Sequence, residues 1–185
     1  MPAAVENGSE LIVQAAKQQL NEEGFHKLSI RKIAQRCGLA VGTIYNYFPT
    51  KKELIVRLMT DYWEEFYAGS SASLDLETDI YGKLQQIYTK LRQFVELFKE
   101  SWTDIQDFNQ QNPYEHSAQQ MEYLQRLYTL VSDLLKDDFE SRGKTPARID
   151  LDDLSRLIVL NYLTMIYTNQ LPYASFERIV KMLIE

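Results

Sequence analysis

Apolar residues recur at helical spacing along most of this chain, and no stretch alternates as a half-buried strand would. Leu11, Ile12, Ala15, Ala16 and Leu20 predict a first helix over about Glu10 to Glu23, with Ser9 able to cap it and Gly24 to end it in a left-handed conformation. A second helix begins after Ser29 and runs to about Arg36. Cys37-Gly38-Leu39 is a short break, and a third helix covers about Val41 to Phe48. Pro49 stops it, because the ring disfavours helical geometry in the residue before it. Thr50-Lys51-Lys52-Glu53 reads as a capping box that opens a fourth helix through about Tyr67. The run Ala68-Gly69-Ser70-Ser71-Ala72-Ser73 is the clearest change of composition, and it divides the chain into domains 1–67 and 68–185. Helical periodicity then returns over about 77–99, 101–111, 114–141, 150–170 and 173–184. The expected fold class is all-α: a three-helix head containing a helix-turn-helix and a larger helical domain, about nine helices altogether.

Residues 29–51 carry the most specific pattern. Two short helices joined by a glycine-containing turn form the helix-turn-helix plan. Ile30, Ile33, Ala34, Leu39, Ile44 and Phe48 are its inward set, and Gly38 makes the turn. Gly42, Thr43, Tyr45, Asn46 and Tyr47 are then exposed or partly exposed on the third helix. These types suit DNA. An Asn pairs bidentately with adenine, a Thr offers a hydroxyl and a methyl, and Tyr and Lys reach phosphates. Each also has a plainer reading: Tyr47 as packing on the fourth helix, Thr43 and Asn46 as solvated polar positions, Lys52 and Arg57 as surface charges. Cys37 reads as a packing residue of the turn, and His26 as a surface or loop residue.

Charge sharpens this picture. The 185 residues carry a net −6, yet Gly24 to Thr60 holds seven Lys and Arg against one Glu. Residues 68–185 hold 12 cations against 18 anions. A basic head on an acidic body fits a nucleic-acid partner, and equally a solvated charged face. One cysteine excludes an intramolecular disulfide and a cysteine-based zinc site, and two histidines leave no multi-histidine metal site. No metal, cofactor or catalytic constellation is expected. The first 16 residues carry no Lys or Arg, so a secretory signal with its basic start is not expected. No apolar run reaches the length of a membrane span. The expected setting is the cytoplasm.

The strings Leu28-Ser29-Ile30-Arg31-Lys32-Ile33-Ala34 and Gly38-Leu39-Ala40-Val41-Gly42-Thr43-Ile44-Tyr45-Asn46-Tyr47-Phe48-Pro49-Thr50-Lys51-Lys52-Glu53-Leu54 strongly resemble the TetR family of bacterial transcription regulators, over roughly residues 9–60. The resemblance implies a homodimer that binds a palindromic DNA operator, usually repressing, and is released by a small-molecule inducer bound in the second domain. Carried over by position, Ser29 and Arg31 start the second helix near phosphate or a base edge. Val41, Gly42, Thr43, Tyr45, Asn46 and Tyr47 occupy recognition-helix contact positions, and Lys51 contacts phosphate. One departure stands out. Position 40 is often Ser or Thr in the family, and Ala40 cannot cap the recognition helix.

In the second domain Leu157 to Tyr167 is nine apolar residues of eleven. A helix apolar nearly all round must be covered on both sides. With the stripe on the last helix, this predicts a dimer interface at Leu154, Ile158, Ile166, Phe176, Ile179, Val180 and Leu183. The alternative is ordinary core in a monomer. The middle helices are rich in aromatics, and a ligand site is expected among Phe98, Trp102, Phe108, Tyr123, Tyr128, Asn161 and Tyr162, although any one aromatic also suits the core. Two functions follow: a ligand-responsive DNA-binding regulator, with repression the expected sense, or a helical ligand-binding or interaction protein of the same fold without specific operator binding.

Overall fold

A computed structural model describes residues 7–73, 79–99, 113–143 and 149–184, and the side chains of these except 69–73 and 113–120. All the regular structure among them is helical: α1 (Gly8–Glu23), a 3-10 turn (Phe25–Lys27), α2 (Ile30–Cys37), α3 (Val41–Tyr47), α4 (Lys51–Ser73), α5 (Ile80–Phe98), α6 (Pro113–Ser141), α7 (Leu151–Thr168) and α8 (Tyr173–Ile184). The helix expected over 101–111 lies outside the described residues.

The chain forms two compact units. The first, the head, is Met1–Tyr67 with Glu96–Pro113; the second, the body, is Ala68–Val95 with Tyr114–Glu185. The composition change at 68–73 is not a break in structure, because α4 continues as helix through Ser73. Ser, Gly and Ala are weak evidence against a helix that has already been nucleated.

In the head, α1 buries Ile12, Val13, Ala15, Ala16, Gln19 and Leu20. Leu11, expected on that face, is 42% exposed. The helix also starts earlier than Ser9 predicts. Asn7 stands at the N-cap with φ 61°, no side chain caps the start, and Gly8 is already helical and buried. Gly24 ends α1 at φ 81° and ψ 169°, so its backbone is positive-φ but extended and not left-handed helical. At α4 the Thr50 half of the expected capping box forms, with the Glu53 N–H donating to Thr50 Oγ1 at 3.1 Å, while the Glu53 carboxylate accepts from the Thr50 hydroxyl at 3.1 Å rather than from its backbone N–H.

The body core is built from Ile80, Leu84, Ile87 and Leu91 of α5, Leu127, Val131, Leu135 and Phe139 of α6, Leu154, Ile158, Val159 and Tyr162 of α7, and Phe176, Val180 and Ile184 of α8. Tyr162 is wholly buried and its hydroxyl donates to the Leu84 carbonyl at 3.0 Å. Its ring lies 5.2 Å from Tyr88 and 5.5 Å from Phe176, edge to face. Asp150 caps α7 by accepting from the N–H groups of Asp152 and Asp153.

Candidate nucleic-acid interface

Helices of eight and seven residues are too short to be stable alone, so α2 and α3 depend on their surroundings. Ile30, Ile33, Ala34, Ile44 and Phe48 are buried, as the pattern requires, and Leu39 is half-buried. Gly38 adopts the left-handed conformation at φ 65°, ψ 28°. It lets the Leu39 N–H donate back to the Ala34 carbonyl at 2.9 Å, which closes α2 and aims the chain into α3.

A polar latch completes this frame. Gln19 is fully buried on α1. Its Nε2 donates to the Lys27 carbonyl at 2.7 Å and its Oε1 accepts the Ser29 N–H at 3.3 Å. These are backbone groups of the segment that leads into α2, so one side chain sets where α2 begins. Pattern reading missed Gln19. The signal was a polar residue four beyond Ala15 on the inward face of α1.

The expected contact residues share the outward side of this frame. Arg31, Val41, Gly42, Tyr45, Asn46 and Lys51 are exposed; Ser29, Thr43 and Tyr47 are half-buried. Val41 and Tyr45 are large and apolar or aromatic, yet 38% and 45% exposed beside the buried Ile44. Gly42 is informative in another way. Its φ is not positive, and a Cβ built on it meets nothing within 4 Å. Nothing among the described residues requires glycine there. Ala40 stands at the N-cap of α3 without a side-chain cap. The end of the Tyr47 ring lies against Gly8 at the start of α1.

The basic window is partly neutralised within the head. Lys32 pairs with Glu23 at 2.5 Å, and Arg36 with Glu22 at 2.6 Å. The Arg36 hydrogen bond holds the Glu22 carboxyl below the usual range, and the Lys32 hydrogen bond does the same for Glu23. Arg57 pairs with Asp61 at 2.7 Å and Glu10 at 3.5 Å. Lys27, Arg31 and Lys52 make no ion pair among the described residues, and Lys51 lies 5.8 Å from the Phe25 ring centroid. The cations left open therefore include both expected contacts, Arg31 and Lys51. On the α1–α4 side Lys17 meets Glu65 at 2.6 Å and Asp61 at 3.3 Å. Burial lowers its ammonium, but the Glu65 hydrogen bond and the Asp61 charge outweigh that and hold it above the ordinary lysine value. The Cys37 thiol is half-buried, 3.6 Å from the Leu11 carbonyl, and burial pushes it up.

The other expected sites are not assembled in the same way. Phe98 is fully buried in the head, 6.5 Å from Phe25 and 5.6 Å from Tyr62. Tyr123 and Tyr162 are core residues, and Asn161 donates to the Leu157 carbonyl of its own helix at 2.7 Å. Tyr128 lines a polar cleft of about 160 Å³ with Ser132, Lys136, Asp152 and Arg156. Trp102 and Phe108 lie outside the described residues. Of the expected dimer residues, Leu154, Ile158, Phe176 and Val180 are buried within the body itself, and Ile166 is half-buried. Ile179 and Leu183 are exposed, along with Leu157, Leu160, Tyr167 and Met182, which were not among the expected interface residues. Tyr162 at the core fixes which side of α7 turns inward, and periodicity could not supply that phase.

Two short helices around a glycine turn, with the second presenting a polar and bare outer face, define a helix-turn-helix protein. Residues 12–58, all within the head, match the family described as bacterial regulatory proteins, tetR family. An uncharacterized HTH-type transcriptional regulator of Haemophilus influenzae is 30% identical over 105 residues, 57% of this chain and 49% of that protein. The fatty acid metabolism regulator protein of Bacillus subtilis is 29% identical over 79 residues, 43% of this chain and 41% of that protein. The chain thus spans about half or less of the length of these curated relatives. Among solved structures, a transcriptional regulator from Cytophaga hutchinsonii superposes with TM-score 0.66 at 14% identity, covering 97% of this chain and 95% of that one. The regulator FadR from Bacillus subtilis, solved in complex with stearoyl-CoA, superposes with TM-score 0.50 at 18% identity, covering 95% of each chain. At these identities the structures share the fold.

Proposed function

We propose that the protein is a ligand-responsive transcriptional regulator of the cytoplasm whose head binds a palindromic DNA operator as a homodimer, in the repressing sense. The observation that carries this reading is the outer face of α3. Val41, Gly42, Tyr45 and Asn46 are exposed on a rigid frame, and Gly42 is bare without an internal reason. Ser29, Arg31 and Lys51 flank that face as phosphate-binding groups, with Thr43 and Tyr47 at its edge. Dimerisation is supported by the apolar side chains left uncovered on α7 and α8, where Met182 is 83% exposed. The interface is assigned to Leu157, Leu160, Tyr167, Ile179, Met182 and Leu183. The ligand is a small, mostly apolar molecule of the body. A fatty acyl thioester is its first candidate, because the Bacillus subtilis neighbour is described with stearoyl-CoA.

Selection from random duplex DNA by the purified protein tests the reading. Recovery of one palindrome is the expected result, and recovery of no preferred sequence sinks it. Adding stearoyl-CoA should then release the recovered duplex, with coenzyme A alone as the control. Release by neither removes acyl chains as the ligand class.

A further inference from the structure

We propose that Gly8 is a positioning residue for DNA binding, acting through Tyr47; the proposal rests on the reading of the head given above. Gly8 opens α1 and is buried, and Tyr47 ends α3. A Cβ on residue 8 would stand 2.5 Å from the Tyr47 hydroxyl oxygen, 2.6 Å from Cζ and 3.0 Å from Cε2. The backbone at Gly8 has no positive φ that would call for glycine. Space calls for it: the far end of the phenol ring occupies the place of a side chain. A Cβ on Gly42, in the same head, meets nothing within 4 Å among the described residues. Position 8 also precedes the stretch that matches the family, 12–58, so nothing in that match assigns it a role.

The bare backbone of Gly8 is a seat for the ring. Seated, the phenol hydroxyl is held where the start of α1 meets the end of α3, at the rim of the exposed recognition face. A hydroxyl already in place hydrogen-bonds a phosphate without the ordering that a free rotamer must undergo. Any side chain at residue 8 forces the ring to turn about its χ angles and leave the seat. The fold tolerates that motion, because what moves is the far end of a side chain. Alanine is moreover the better helix former, so Gly8→Ala does not weaken α1. Binding does not tolerate it, because the hydroxyl is carried away from its phosphate.

The test is a double-mutant cycle on duplex DNA of mixed sequence at low salt, with thermal unfolding followed in parallel. Gly8→Ala should weaken binding about tenfold or more, the size of one lost hydrogen bond to a charged group. Tyr47→Phe should lose a similar factor. Combined, the two should lose no more than the larger single loss, within about twofold. Should Gly8→Ala fail to fold, Gly8→Ala with Tyr47→Ala removes the clash, and it should fold and bind as Tyr47→Ala does. Wild-type affinity in Gly8→Ala, or losses that multiply in either pair, overturns the role of Gly8. Absence of duplex binding by the unmodified protein overturns the DNA-binding reading beneath it instead.

Discussion

The head and the body use polar groups in opposite ways. In the head, α2 and α3 are eight and seven residues long, and a buried amide, a glycine turn and ion pairs to the acidic end of α1 hold them. In the body, α6 and α7 run 29 and 18 residues, and a largely aliphatic core with the wholly buried Tyr162 in it holds them. Short helices must borrow their stability, so their inner faces are fully committed and their outer faces are free for a partner. Long helices are more self-sufficient, and they leave apolar side chains uncovered. On the function proposed above, the difference puts recognition of polar DNA on one unit and apolar contacts on the other.

The largest test of this contrast is Tyr162→Ala. It empties the centre of the body and leaves the Leu84 carbonyl without the phenol, and it should lower stability by about 3–5 kcal/mol in denaturant titration. A loss below about 1 kcal/mol would mean that the tyrosine is not the keystone described. Next in size is Gln19→Leu in the head. It strands the Lys27 carbonyl and the Ser29 N–H, and should cost about 1–3 kcal/mol. Hydrogen exchange at the Ser29 amide should rise more than exchange in the body; uniform change across both units would contradict a local latch.

Two substitutions on the recognition element should separate fold from function. Ala40→Ser supplies the missing cap and should raise stability by about 1 kcal/mol. Gly42→Ala should leave stability unchanged or raise it by up to about 1 kcal/mol, because it meets no neighbour. The same change should weaken DNA binding, and unchanged affinity on the selected duplex would remove the argument from the bare glycine.

The smallest expected effect is alkaline and belongs to the body. Burial pushes the Tyr173 phenol from its ordinary value of 10.0 to about 12, and pushes Tyr162 well above that ordinary value. A raised folded value means that the fold favours the neutral phenol. The stability it contributes is therefore complete below about pH 10 and is lost as pH rises through about 12. Tyr173→Phe should retain more of its stability across that window, measured by circular dichroism against the unmodified protein. Equal losses in both proteins would show that the phenol is not linked to unfolding.

The head was the more legible region because its chemistry is local. Thr50 and Glu53 are three residues apart, and Gly38 sits between two short apolar patterns, so proximity in sequence carried the inference. Where tertiary contact decides, the sequence was less informative. α1 begins at Gly8, ahead of Ser9, and the bare backbone there lies against the Tyr47 ring, a contact between residues 39 positions apart. The α7 stripe predicted a helix covered on both sides but not its phase, so Leu154 and Ile158 were assigned outward and are buried, while Leu157 and Leu160 are exposed. Gly69 to Ser73 has the composition of a linker and lies in a helix that upstream residues had already started.

The latch at Gln19 has a consequence for how such a head diverges. Its amide grips a carbonyl and an N–H, groups that every residue except proline supplies alike. It holds the start of α2 without regard to which side chains stand at 29 and 31. Lineages can therefore rewrite those two positions, and with them the phosphate contacts proposed for them, while inheriting the frame unchanged. Proline at position 29 is the one excluded variant, because it removes the hydrogen on which the latch closes.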